Sequence, residues 1–553
     1  MNRLGWMLVL LVTVCLATTA LGLDRADKPR RAVEPPDLSA QVYPVTLTDP
    51  PVVPLSELDE YDFGDTTVVE ITFWDSQHNA TIGRQIQYDP AGAEGTGMVY
   101  FIYSDLPNPG GVRKANANKV GFDENGDPIV LMTGGTVLGG GDWSGYPTLA
   151  LNPTLANQPP AFLFHQRANA SGPYLSRIAG EFAFLPDIFF DEPLPFDGAD
   201  WNAWPRSAMD DEAITHVVTT PNEVGNLLYY RYSMDNDGGT FTALTEQEQI
   251  LELDDHFPGS DVAVSPNGDR VAIGTPLSRG HLGIVEETRA WDNDFVVWLN
   301  EEGGDNWDWS LEDALNVTQF QGPDYSQLPD TVAANQDTFR LWLDCNLYFD
   351  HESNLHGAWS AAEYFYIQDQ GYVYAQIFYW NEVNNEYIRV GDGSFWNNWN
   401  TQPSGTNNLL VGRPNMVRDP DSGWLYLVYE SYGVAGDTTD AGQPLDVGQS
   451  GMPNAELFLT ASPTGSAEWG RDFEVNGRLW FQPLNITNTR SLSPDPIAPG
   501  NCRSETDPSL ALHAEGDYLH LFMTVDRDAG TFIFQEGTQT DNPLVYYRLD
   551  KDA

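Results

Sequence analysis

Seven short segments of this chain repeat one alternation of apolar and polar positions. They are Arg84–Pro90, Pro147–Pro153, Pro205–Asp211, Ser260–Pro266, Cys345–His351, Pro414–Pro420 and Pro508–Ala514. In register, the third and fifth positions are mostly apolar, as in Ile86/Tyr88, Leu149/Leu151, Val262/Val264, Leu347/Phe349 and Leu510/Leu512. The second position is always polar: Gln85, Thr148, Arg206, Asp261, Asn346, Asn415 and Ser509. A period of two predicts strands with one buried face. Turn chemistry follows, in Asp89-Pro90, Asn152-Pro153, Ser265-Pro-Asn-Gly268 and Asp419-Pro-Asp-Ser-Gly423. A second apolar segment comes next each time, opening at Val99, Phe162, Thr215, Val271, Leu355, Leu425 and Leu519.

The repeats recur with a mean period of about 71 residues. That span holds four strands of about five residues with their loops, and its tolerance of insertions suits a propeller better than a solenoid. The chain is therefore expected to be all-β, a seven-bladed β-propeller with six blades as the alternative. The last repeat is one strand short at the C-terminus, whereas Thr66–Trp74 reads as a strand with no first-strand motif before it. Closure of the ring by Thr66–Trp74 removes free edges, so the propeller is placed at 66–553. Residues 1–22 carry Arg3, the apolar run Met7–Leu16 and a small-residue site at Ala20-Leu21-Gly22. They read as an export signal. Residues 23–65, rich in Pro and acid, read as a linker or arm.

Charge narrows the partners. The chain has 80 acidic and 27 basic residues, a net charge of −53, and only four lysines. Such a field repels nucleic acid and anionic membrane surfaces. No stretch after the signal is long and apolar enough for a membrane-spanning helix, so no membrane insertion is expected and the location is secreted or periplasmic. Cys345 and Cys502 remain after signal removal and are candidates for a disulfide. Asp235 with Asp237, and Asp419 with Asp421, offer clustered hard oxygens, so structural Ca2+ is the one cofactor suggested.

Two segments after third strands, Met234-Asp-Asn-Asp-Gly-Gly-Thr-Phe241 and Asn300-Glu-Glu-Gly-Gly-Asp-Asn-Trp307, resemble the Asp-box hairpin of sialidase-superfamily propellers. Asn236, Gly238, Thr240 and Phe241 take the pattern's positions in the first. Only Gly304 and Trp307 do so in the second. In that family the box is a structural turn, so the resemblance implies fold rather than activity. The family's enzymes hold a carboxylate with three arginines and use a Tyr–Glu nucleophile with an Asp acid. Arg84, Arg206 and Arg413 stand at first-strand entrances, but no Tyr–Glu pair or acid is assigned from the sequence.

Inner strands of a propeller converge at one mouth. That mouth is expected to display Arg84, Gln85, Tyr146, Thr148, Trp204, Arg206, Asp261, Asp344, Asn346, Arg413, Asn415, Asp507 and Ser509. Aromatics beside amides, acids and arginines suit stacking on sugars, and a hydrated structural channel carries the same mixture. His216, His356 and His520 occupy equivalent positions in different repeats, which spreads them around a ring and argues against a shared metal. The leading expectation is a non-catalytic binding module for carbohydrate or a cell-surface partner. The alternatives are a sialidase-like or other glycan-cleaving enzyme and a structural subunit of an extracellular assembly.

Overall fold

The computed structural model describes residues 61–551 apart from 62, 79–80, 82, 141–142, 153–154, 156–157, 168–171, 196–201, 222–226, 246–247, 252–258, 284–292, 320–339, 368–369, 393–408, 433–445, 463–482, 490, 492–496 and 515. The export signal and nearly all of the arm therefore lie outside the described residues. Among the described residues seven antiparallel units follow one another. Their first strands are Ile86–Asp89, Ser144–Ala150, Asn202–Met209, Asp261–Val264, Arg340–Phe349, Val411–Arg418 and Ser504–Leu510. Each pairs with the strand after it, and that strand pairs with a third. The first-strand register read from the sequence matches these strands, and the alternation holds because one face of each strand meets a neighbouring sheet.

The last unit takes its outer strand from the other end of the chain. Gly64–Thr72 pairs antiparallel with Asn542–Asp550, from Gly64 opposite Leu549 to Thr72 opposite Asn542. The expected strand Thr66–Trp74 is thus shifted two residues, and Trp74 belongs to the segment that follows. Apolar cores lie between successive sheets. Phe295, Trp359 and Trp380 pack between the fourth and fifth units, and Val69, Phe101, Phe522 and Tyr546 between the seventh and first. Among the described residues the arrangement is propeller-like and all-β except for one helical turn at Gly92–Gly95 and a 3-10 turn at Phe532–Phe534. No helix among the described residues is long and apolar enough to cross a membrane.

The acidic turn after the first strand has a structural task. Asp210 accepts the backbone N–H groups of Glu212 and Ile214 with one oxygen and meets His216 Nε2 at 3.3 Å with the other. His216 Nδ1 in turn meets the Tyr229 hydroxyl at 2.6 Å. Asp350, His356 and Tyr379 repeat the arrangement, and His520 with Tyr546 keeps its second half. The equivalent histidines are buried interstrand links in three separate units.

The Asp-box-like hairpin has the same character. Asp235 Oδ1 accepts the N–H groups of Asp237 and Gly238, and Phe241 enters the core between the second and third units. Asp419 caps its own turn through Asp421 N and Ser422 Oγ and pairs with Lys551 at 3.0 Å. Among the described residues no group of three or more His, Cys, Asp or Glu is placed to hold a metal. The expected disulfide is corrected: Cys345 and Cys502 are both free and buried. Cys345 Sγ lies 2.9 Å from the Gly259 carbonyl in the ring of first strands. Cys502 instead donates its backbone N–H to the Arg527 carbonyl at the edge of the last unit.

Candidate functional site

All thirteen residues expected at a mouth are buried. Their exposure runs from 0% to 8%. Gln77, His78 and Thr81, described residues of the strap between the outer strand of the last unit and the first strand of the first, pack against them. Gln77 N donates to Asp507 Oδ2 at 2.7 Å, His78 Nε2 meets the Pro147 carbonyl at 2.8 Å, and Thr81 Oγ1 donates to the Gly259 carbonyl at 2.7 Å. Arg413 and Arg206 donate to the carbonyls of His78 and Thr81. This strap touches the second, third, fourth, sixth and seventh units, and Cys345 N adds the fifth by donating to Thr81 Oγ1.

In four of the seven repeats the polar second position is a staple. Asp261 Oδ2 accepts Leu347 N at 2.8 Å, and Asn346 Oδ1 accepts Met416 N at 3.0 Å. Asn415 Oδ1 accepts Leu510 N at 3.4 Å, and Ser509 Oγ accepts Gln85 N at 2.8 Å. Each link runs from one first strand to the next, and the last returns to the first unit. Arg84 spans the centre, donating to Asn415, Asn346 and the carbonyls of Leu510 and Met416. Gln85 and Thr148 are engaged with the carbonyls of Ile102 and Arg84. The residues that sequence reasoning displayed to a ligand are therefore largely engaged with neighbouring backbone.

The position just before the repeat's proline behaves differently. Tyr146, Trp204, Arg413 and Asp507 all have φ between 49° and 56°, each directly precedes a proline, and the pairing register breaks there. Left-handed backbone is unfavourable for non-glycine residues and worse before proline, costing about 1–3 kcal/mol each. Neighbouring units hold three of these N–H groups in place. Tyr146 N donates to Ser104 Oγ at 3.0 Å, Asp507 N to Glu430 Oε2 at 3.0 Å, and Arg413 N to Asp344. Asp344 also accepts the Ser360 hydroxyl.

Two side-chain groups gather at these strained positions. On the side of the sixth and seventh units, Arg413 pairs with Asp507 and, at 3.5 Å, with Glu430. Burial pushes Glu430 up to about 7. Burial also raises the Tyr432 phenol, with Glu430 adding to it. Tyr432 and Glu430 lie two apart on one strand, a Tyr–Glu pair the sequence reading left unassigned. Arg413 is already committed to both acids there.

On the side of the second and third units, the Arg113 guanidinium lies 4.6 Å over Trp74 and 4.4 Å over Tyr146. Its NH2 group stands 3.0 Å from His165 Nε2. Guanidinium only donates, so His165 Nε2 accepts. Burial and the charges of Arg113, Arg206 and Arg167 hold His165 well below the usual histidine range. His78 is held down in the same way by burial, Arg206 and Arg413. Its Nε2 faces a carbonyl and so carries the hydrogen. Its Nδ1 is then a lone pair on a neutral imidazole, buried and without a partner among the described residues. Trp204 Nε1 and Arg206 Nε are buried donors likewise without partners. The His78 ring is 5.8 Å from Tyr146, and Tyr146 packs with Trp204 and Tyr174. An acceptor of protons thus sits with unengaged N–H donors and several guanidinium groups. His78, Arg113 and His165 had no signal in the sequence, because none lies in the repeated first-strand register.

No family model matches the chain, and no curated protein matches it. Among solved structures, it is similar to a PL25 ulvan lyase bound to -[GlcA(1-4)Rha3S]-, with 12% identity, TM-score 0.42, and coverage of 87% of this chain and 95% of that one. The polysaccharide lyase Uly1 gives 8% identity, TM-score 0.42, and coverage of 96% and 98%. The phage phi92 endosialidase gives 9% identity, TM-score 0.37, and coverage of 89% and 69%. Likeness at these scores carries no weight for the chemistry, which has to come from the residues.

Proposed function

We propose that this chain is an enzyme that cleaves anionic glycans, working from the cluster of His78, Arg113, Tyr146, His165, Trp204 and Arg206. The observation that carries the reading is the open Nδ1 lone pair of a neutral His78 among unengaged N–H donors and arginines. A chain of net charge −53 has placed several of its few guanidinium groups at one spot. Positive charge and N–H donors stabilise a carboxylate and the anion that develops when a proton leaves the carbon beside it. In that reaction His78 Nδ1 takes the proton, a carbon–carbon double bond forms, and the bond to the glycosidic oxygen breaks. The Tyr146 hydroxyl gives the departing oxygen its proton, and proton transfer in this form contributes about 10²–10⁴-fold. The cluster is buried, so a glycan reaches it only when the surrounding side chains rearrange.

The enzyme alternative thereby displaces the non-catalytic binding module as the leading reading. The same reading takes the seven units as blades of one propeller, tied by Gly64–Thr72 on Asn542–Asp550, in an exported protein. Calcium at Asp235, Asp237, Asp419 and Asp421 stays a proposal for bound ions at the turns, outside the reaction. A hydrolytic second reading, favoured by Tyr432 and Glu430 beside Arg413, is weaker because Asp507 and Glu430 already neutralise that arginine. The test incubates the mature protein with uronate-containing, sulfated and neutral polysaccharides. Elimination gives an unsaturated product with ultraviolet absorbance. Hydrolysis gives new reducing ends without it, and silence across the panel returns the chain to a binding or structural role.

A further inference from the structure

We propose that Glu456 and Glu505 form a proton-operated latch that fixes Tyr61 between the sixth and seventh units. The inference is independent of the reaction proposed above. Tyr61 is buried, stacks on Tyr547 with ring centroids 5.3 Å apart, and donates its hydroxyl to Glu505 Oε1 at 3.0 Å. Thr489 bridges the two acids. Its hydroxyl lies 2.7 and 2.9 Å from the Glu505 oxygens, and its N–H donates to Glu456 Oε2 at 3.0 Å. Thr487 Oγ1 donates to the same Glu456 oxygen at 2.7 Å.

Two carboxylates this close and this buried need a proton, a cation or an arginine between them. The other charged groups acting here are Asp446, which adds negative charge near Glu456, and Arg503, which favours the Glu505 anion. Asp446 is itself held by Asn454 Nδ2 and Ser491 N. No three of the described acids are arranged for a metal. Glu505 accepts from Tyr61 and Thr489, whereas Glu456 receives both its bonds on Oε2 and has the other oxygen for a hydrogen. Burial and the partner's charge push Glu456 up to about 9, and burial pushes Glu505 up to about 7.

The sign follows. Both folded values are raised above those of an open site, so the latch is complete in acid and is lost as pH rises through them. Above about 7 one proton on Glu456 still separates closed from open, and the opening constant then rises about tenfold per pH unit up to about 9.

The experiment is hydrogen exchange on the full chain, followed by mass spectrometry of a peptide covering Tyr61–Gly64 and corrected for intrinsic rates. Protection should fall about tenfold per pH unit between about 7 and 9, while the interior strand Leu425–Tyr432 keeps its protection. Glu456→Gln, uncharged throughout, should hold Tyr61–Gly64 protected at the upper pH. Protection that stays constant in the wild type, or falls equally in Glu456→Gln, overturns the latch. Tyr61→Phe, which removes only the hydroxyl, should lower protection at about pH 7 and keep the slope. An unchanged value there also overturns it, whatever the folding of the Glu456 variant.

Discussion

Replacing Arg413 by Met tests whether the strained positions are held by charge. The guanidinium is buried against Asp507 and Glu430 and also donates to the His78 carbonyl. Burial works against its charge, yet the two acids together raise its pKa. Methionine keeps most of the volume and removes the charge, leaving two buried carboxylates facing each other. Breaking a buried pair by removing one partner costs about 3–5 kcal/mol. With an unfolding entropy of about 2.1 cal/mol/K per residue over the roughly 490 residues from Gly64 onward, that becomes a fall in Tm of about 3–5 °C if the chain unfolds as one. The loss has a pH signature. At about pH 5 Glu430 is already protonated and only one acid is stranded, so the fall should be smaller than at about pH 8. Differential scanning calorimetry of both proteins at the two pH values gives the answer. A fall under about 1 °C, or an equal fall at both, refutes the account of how Arg413 and Asp507 hold their left-handed backbone.

Three more outcomes follow from the same contacts. Asn346→Ala removes the acceptor for Met416 N and should cost about 1–3 kcal/mol in denaturant melts, whereas a surface Asn such as Asn125 should cost almost nothing. His78, His165, His216 and His520 all have folded values below the ordinary histidine range, His520 at about 3. At these four sites the unfolded chain takes up more protons, so their contribution to stability should fall as pH drops below about 6.5, by up to about 1.4 kcal/mol per pH unit for each histidine, against the opposite contribution of the raised acids Glu430, Glu456 and Glu505; replacing His520 should therefore flatten the acid side of the stability profile. Burial raises both thiols, Cys502 to about 12, so neither should react with a thiol reagent until denaturant is added. Mass spectrometry of the native protein should show no adduct on Cys345 or Cys502.

What the sequence disclosed and what it hid divide along contact range. The repeat was legible because each first strand shows one face to a core, as Leu149 and Leu347 do, and that requirement is local. The polar second position was equally visible, but its purpose was not. Asn346 and Asn415 look the same whether they face a ligand or the backbone of the next strand. The strap residues Gln77, His78 and Thr81 follow no periodic pattern, and Thr81 bonds Gly259 and Cys345 far along the chain. His78 and the stacking of Arg113 on Trp74 and Tyr146 were hidden as well. The equivalent histidines were placed correctly on their strands. Their Asp and Tyr partners emerge only when turn, second strand and third strand are assembled.

The measurement that bears most directly on the enzyme reading is the release of unsaturated sugar from a uronate-containing polysaccharide by the wild type and His78→Ala. Turnover in the wild type that falls at least about a hundredfold in His78→Ala, with Tm within a few degrees, is what the open Nδ1 lone pair predicts. Turnover unaffected by the substitution, or no product from any anionic glycan, would contradict it.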